Sequence, residues 1–173
     1  MDMKRIVTLL LVVGVSALLV AVFMVGIPSA AVITVDTFDD GTQSLMVRQT
    51  GPTSASSTIT AASGILGTER DVTLNYVGGA GFSWIILDID AGGVSNRLEF
   101  SEATQTEASA QIQWDGEDGD ASSLDTTGLA GVDLTDGGTN DGIQLLVVSA
   151  DAGFDLTISV YSSTQVASYT IQL

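Results

Sequence analysis

Beyond residue 31 the chain alternates polar and apolar side chains in short runs, and that alternation limits it to β-structure. Asp71-Val72-Thr73-Leu74-Asn75-Tyr76-Val77 is the clearest case. A period of two sends successive side chains to opposite faces of an extended backbone, giving a strand with one wet face. Leu156-Thr157-Ile158-Ser159-Val160-Tyr161 and Ala167-Ser168-Tyr169-Thr170-Ile171-Gln172-Leu173 repeat the pattern. Val32-Ile33-Thr34-Val35-Asp36-Thr37-Phe38 is rich in β-branched residues and reads as the first strand. Further strands are expected at 44–49, 57–62, 82–89, 97–101, 108–114 and 143–149. Within these, Trp84-Ile85-Ile86-Leu87 is continuously apolar and predicts burial on both faces. Turn chemistry separates the runs: Asp39-Asp40-Gly41, Gly78-Gly79-Ala80-Gly81, Asp115-Gly116, Gly137-Gly138 and Asp151-Ala152-Gly153. No segment after residue 31 combines helical periodicity with caps. About ten short strands joined by such turns predict an all-β fold, an antiparallel β-sandwich.

Residues 6–27 are a different kind of segment. They form an uncharged, apolar run of 22 residues, preceded by Lys4 and Arg5 and followed by Pro28-Ser29-Ala30-Ala31. A basic start, an apolar run and a small-residue exit are the parts of an export signal. The length also suits a membrane-spanning helix. Residues 1–31 are therefore a signal peptide or an N-terminal membrane anchor. The small side chains at Ser29 and Ala31 favour cleavage after Ala31, because a signal peptidase pocket admits them. Either way the rest of the chain lies outside the cytoplasm, and the membrane is met only through residues 6–27.

The 173 residues less the first 31 leave 142, the size of one domain, residues 32–173. This part holds 20 acidic residues and only three cations, Arg48, Arg70 and Arg97. Such a charge repels phosphate backbones, so nucleic acid is excluded as a partner. It keeps the domain soluble and attracts metal cations and basic partners. The chain has no cysteine and no histidine. Stapled scaffolds are excluded, along with Ser-His-Asp and Cys-His catalysis and the commonest zinc and copper ligand. Paired carboxylates could still hydrolyse glycosides. Among so many acids, however, some pair is always close, and no catalytic residue is assigned.

Residues 115–142 form the longest irregular stretch, dense in Asp, Gly, Ser and Thr. Within it Asp115, Glu117, Asp118 and Asp120 are the candidate metal ligands, because clustered carboxylates on a glycine-rich loop can supply the oxygens calcium requires. The spacing departs from the helix-loop-helix calcium pattern, since the fifth position from Asp115 is Gly119. The bland alternative is a solvated turn. Asp39 and Asp40 are a second acidic pair, but Asp-Asp-Gly is common turn chemistry and the segment reads first as an ordinary hairpin or loop turn. Trp114, directly before Asp115-Gly116, is the candidate ligand-binding aromatic, able to stack on a sugar ring. Trp84, Tyr76, Tyr161 and Tyr169 read as packing residues. Arg70, between Glu69 and Asp71, reads as a structural bridge holding acidic loops.

The order of these pieces resembles a known type. Thr37-Phe38-Asp39-Asp40-Gly41 is followed by Ile65-Leu66-Gly67-Thr68-Glu69-Arg70-Asp71-Val72, then Trp114-Asp115-Gly116, then Gly128-Leu129-Ala130-Gly131-Val132-Asp133-Leu134-Thr135. Together they resemble exported bacterial β-sandwich proteins of the PEP-CTERM-associated, surface or extracellular type. Proteins of that type end in a Pro-Glu-Pro motif, an apolar helix and basic residues, a tail this sequence lacks. The resemblance implies a jelly-roll-like sandwich and a role at the cell surface or in the extracellular matrix, and it brings no catalytic residues. The expectation is a non-enzymatic structural or adhesive protein, secreted or at the cell surface, with extracellular polysaccharide or other surface proteins as partners. Alternatives are a carbohydrate-binding module, stabilised by calcium, and a surface filament subunit whose apolar N-terminus assembles as a helix.

Overall fold

A computed structural model describes residues 31–80, 84–91, 96–150 and 153–173. The expected signal or anchor helix at 6–27 lies outside these residues. The described chain is all-β, with every strand pairing antiparallel. The strands are β1 (Gln43–Arg48), β2 (Ser54–Ile59), β3 (Arg70–Gly79), β4 (Trp84–Ile89), β5 (Leu98–Glu102), β6 (Thr106–Gln113), β7 (Asp155–Tyr161) and β8 (Val166–Gln172). They form a sheet of order β1-β4-β5, a sheet of order β2-β3-β6 and a β7-β8 hairpin.

By internal contacts the chain divides into two units. One comprises Ile33–Val132 with Leu145–Leu173 and carries all eight strands. The other includes Ala31, Val32 and Asp133–Gln144. In this second unit Asn140 donates through Nδ2 to the Ala31 carbonyl at 2.9 Å, and Asp136 accepts from the Ala31 amide at 3.2 Å.

The period of two explains the main core. In β1, Leu45 and Val47 are buried while Ser44, Met46 and Arg48 are exposed. Leu45 lies opposite Leu87, and Val47 opposite Ile85, so buried side chains align across the β1-β4 ladder. Val72 and Leu74 of β3 join Leu45, Val47, Ile85, Leu87 and Ile89 in one apolar cluster, with Phe38, Tyr76, Leu98, Ala108 and Ile112 against its edge. The inner faces of both three-stranded sheets thus share a core. Each such buried aliphatic side chain contributes roughly 1.5–3 kcal/mol.

Four local expectations are corrected. Residues 32–38 form no strand; they make a single antiparallel bridge, Asp36 to Ile65. Their Asp36 carboxylate is drawn to Arg70 instead, as described below. Residues 143–149 also form no strand and leave Ile143, Leu146 and Val148 exposed, since no neighbouring strand offers them a ladder. β4 is not buried on both faces but alternates, with Ile85, Leu87 and Ile89 inward and Trp84 41% exposed. Among the aromatics read as packing residues, Tyr76 meets the core, whereas Trp84, Tyr161 and Tyr169 are exposed.

Candidate functional site

Two acids flank the cation that begins β3, Glu69 just before the strand and Asp71 within it, and extended-chain geometry sorts them. Arg70 shares the parity of Val72 and Leu74, so it points inward. Glu69 and Asp71 share the parity of Thr73, so they point to the opposite face.

On the inner side the Arg70 guanidinium is fully enclosed and saturated. Nε donates to Gln43 Oε1 at 2.7 Å, Nη1 to both Asp36 oxygens at 3.1 and 2.9 Å, and Nη2 to the carbonyls of Asp40 and Gly41 at 2.9 and 2.7 Å. Asp36 also accepts from the Phe38 amide at 2.7 Å and from Trp114 Nε1 at 2.8 Å. The Phe38 ring lies 5.7 Å from the Arg70 guanidinium carbon and 6.4 Å from the Trp114 ring, tilted by 56°. Arg70 therefore ties the 36–41 segment to β3 and, through Gln43, to β1. Trp114, the candidate sugar-stacking residue, sits half-buried in this lock with its polar edge engaged.

The other face holds three carboxylates. The β3-β6 register pairs Asp71 with Gln113. Continued by two residues, it sets Glu69 opposite Asp115. Glu69, Asp71 and Asp115 are all buried, and they offer oxygens that lie within 4.8 Å of one another. The loop that follows Asp115 folds over them. The amides of Asp118 and Gly119 donate to Glu69 at 3.1–3.2 Å. The Asp125 amide donates to Asp115 Oδ2 at 2.7 Å, and the Thr58 hydroxyl donates to Asp71 Oδ1. Thr73 Oγ1 donates to the Ala121 carbonyl at 2.9 Å and holds the far end of the loop to the sheet. Asp71 Oδ2 and Asp115 Oδ1 are buried and have no hydrogen-bond partner among the described residues.

The electrostatics follow from this geometry. Burial pushes Asp71 up to about 6; the Thr58 hydroxyl opposes the rise, and Glu69, Asp115 and Asp118 add to it. Asp115 is raised for the same first reason, against the Asp125 amide and with Asp118 and Glu69 adding. A raised carboxylic acid suits general acid catalysis, but Asp71 has no surface for a substrate to reach. An all-oxygen, triply acidic, enclosed cluster suits a hard cation or a trapped proton.

Of the four acids that the sequence marks in the loop, the structure brings Asp115 into this cluster. Asp118 stands near enough for its charge to raise both Asp71 and Asp115, while its Oδ1 accepts from the Asp120 amide. Glu117 turns away to the Ala61 amide and the Thr68 hydroxyl. Asp120 accepts from the Ser122 amide and from the hydroxyls of Ser122 and Ser123. The 39–40 pair is engaged structurally: Asp39 accepts locally from the Thr37 hydroxyl, and Asp40 accepts from the Gly64 amide, tying two loops together. Glu69 and Asp71 were not among the sequence candidates as ligands. The signal that could have found them is their i, i+2 spacing at the start of a strand, which places both on one face.

Beside the cluster, on the same sheet face, lies a cavity of about 290 Å³ lined by Ser54, Ser56, Thr73, Gln111, Gln113 and Ser122, among others. Comparison with protein-family models, with curated proteins and with solved structures finds no match to this chain.

Proposed function

We propose that this chain is an exported, non-enzymatic β-sandwich protein, jelly-roll-like in architecture, with a structural or adhesive role at the cell surface or in the extracellular matrix. Kinship with the PEP-CTERM-associated surface proteins belongs to the same reading. The observation that carries it is the commitment of Arg70, Asp36 and Trp114 to one another. Trp114, the candidate ligand-binding aromatic, and the buried Arg70–Asp36 pair are engaged in holding the fold. Two sheets sharing one apolar core support the sandwich, and the apolar run at 6–27 supports export.

The test is expression of the full chain in a bacterial host, followed by fractionation and intact-mass measurement. Recovery outside the cytoplasm, with residues 1–31 lost or with the chain held in the membrane, is expected. Folded protein in the cytosol with its leader intact overturns the reading.

A second reading, a carbohydrate-binding module, is favoured by the cavity on the β2-β3-β6 sheet. Its hydroxyls and amides match the hydrogen-bonding groups of a sugar. Glycan-array retention that drops on Gln111→Ala would support it; no retention of the parent protein on any glycan removes it.

A further inference from the structure

We propose that Glu69, Asp71 and Asp115 bind one calcium ion beneath the 115–119 loop. This goes beyond the proposed role and does not depend on it.

The first observation is convergence. Three buried carboxylates, Glu69 just before β3, Asp71 within it and Asp115 just beyond β6, present oxygens within 4.8 Å of one another. Calcium holds oxygens at roughly 2.3–2.6 Å, so two ligands on opposite sides of it lie about 5 Å apart. One ion reaches all three groups at once.

The second observation is independent of the clustering. Asp71 and Asp115 are 0% and 3% exposed, and each has one oxygen fixed by a donor and one left without. Thr58 holds Asp71 Oδ1, and the Asp125 amide holds Asp115 Oδ2. The unpartnered atoms are Asp71 Oδ2 and Asp115 Oδ1. A buried carboxylate oxygen without a partner is costly, and buried charges are otherwise paired or bound to metal.

The third observation is charge. Among the described residues Arg70–Asp36 is the ion pair, and it lies on the opposite side of β3. Arg70 is the sequence neighbour of both Glu69 and Asp71, yet the pleat turns it away from them. Among the described residues no cationic side chain is hydrogen-bonded to the three carboxylates, so their charge calls for a cation from solution.

The donor set selects the ion. Oxygen alone, with no histidine or cysteine in the chain, suits hard cations. Magnesium keeps several waters and usually takes one or two carboxylates. Three enclosed carboxylates fit the larger and less hydrated calcium.

The full chain, purified in detergent if its leader is retained, is stripped with chelator and titrated with calcium chloride at pH 7.5 by calorimetry. Melting scans at constant ionic strength accompany the titration. One ion per chain and a rise in melting temperature are expected, because a ligand of the native state alone must stabilise it. Asp71→Asn and Asp115→Asn should each lose the calcium response. Asp71→Asn in chelator should melt no lower than the parent, since it removes a buried charge and keeps the Thr58 acceptor. That separates loss of the ion from loss of the fold. Glu99→Gln, exposed on β5 and outside the site, should respond as the parent does. No heat and no melting shift at millimolar calcium overturn the proposal. So does a calcium response that survives in Asp71→Asn/Asp115→Asn, or a response to magnesium without one to calcium.

Discussion

Arg70 Nη1 lies 2.9 Å from Asp36 Oδ2, and both side chains are sealed from solvent, at 0% and 2% exposure. An exposed pair of this kind is worth little. An enclosed pair with every donor satisfied behaves otherwise, because removing one partner strands the other charge. Asp36 precedes the first strand and Arg70 begins the third, so their contact holds a segment without a ladder of its own against the sheets.

Asp36→Ala is expected to destabilise the protein by about 3–5 kcal/mol, the cost of leaving a buried guanidinium unpaired. Asp36→Asn retains an acceptor for Trp114 Nε1 and should cost less. Urea unfolding of both variants, read as midpoint shifts at unchanged slope, checks the order.

The core predicts a contrast between two leucines. Leu87 is fully buried in the cluster shared by both sheets, whereas Leu146 is 83% exposed. Leu87→Ala should cost roughly 2–5 kcal/mol. Leu146→Ala should change stability by no more than about 0.5 kcal/mol. Equal losses at the two positions would show that residues 145–148 are packed in solution.

The loop over the acidic cluster depends on a close passage of backbone. Any Cβ at Gly128 would collide with the Asp115 carbonyl oxygen, and Gly116 (φ +100°) faces the Gly128 backbone from the other side. Gly128→Ala must push the loop off the sheet, because the obstacle is main chain and cannot rotate away. Amide exchange should accelerate at Asp118 and Gly119, whose N–H groups are held by Glu69. Gly131→Ala serves as a comparison: a Cβ there meets nothing within 4 Å, so only its positive φ is strained. Unchanged exchange in Gly128→Ala would mean that the passage is looser than described.

Asp133 offers a pH prediction remote from the acidic cluster. The Thr135 hydroxyl, then the Gly137 and Thr135 amides, hold its carboxyl below the ordinary 3.8. A folded value below the unfolded one favours the folded state once the pH exceeds the unfolded value, and the benefit disappears as pH falls through the folded value. Carbon-detected NMR titration should find Asp133 titrating below 3.8, and Thr135→Val should move it upward. A midpoint unaffected by that substitution would show that the hydroxyl contact does not persist. Asp133 is fully exposed, so thermal stability should change little.

Much of the strand pattern was legible because it is local. The alternation in residues 71–77 is repeated in β3, where Val72 and Leu74 go inward and Thr73 outward, and the 156–161 and 167–173 runs became the β7-β8 hairpin. Residues 32–38 and 143–149 misled for a shared reason. β-branched composition gives a segment the ability to extend, but a strand exists only if a neighbour supplies its hydrogen bonds. The acidic loop was also legible as irregular, since Asp118, Asp120, Asp125 and Asp133 each accept from the amide two residues on, which is how Asp builds turns.

What the sequence determined alone was therefore the all-β character, the apolar segment at 6–27, the acidity, and the absence of any histidine or cysteine chemistry. These depend on composition and on neighbours one or two residues apart. Only the tertiary structure decided which acids meet. Asp115 joins Glu69 and Asp71 because β6 pairs beside β3 in one register, and a slip of one residue would turn its carboxylate to the other face. The pleat likewise separated Arg70 from the acids on either side of it and delivered it to Asp36, 34 residues earlier in the chain. Pairing across such distances is set by how the apolar faces bury, which no short window of sequence contains.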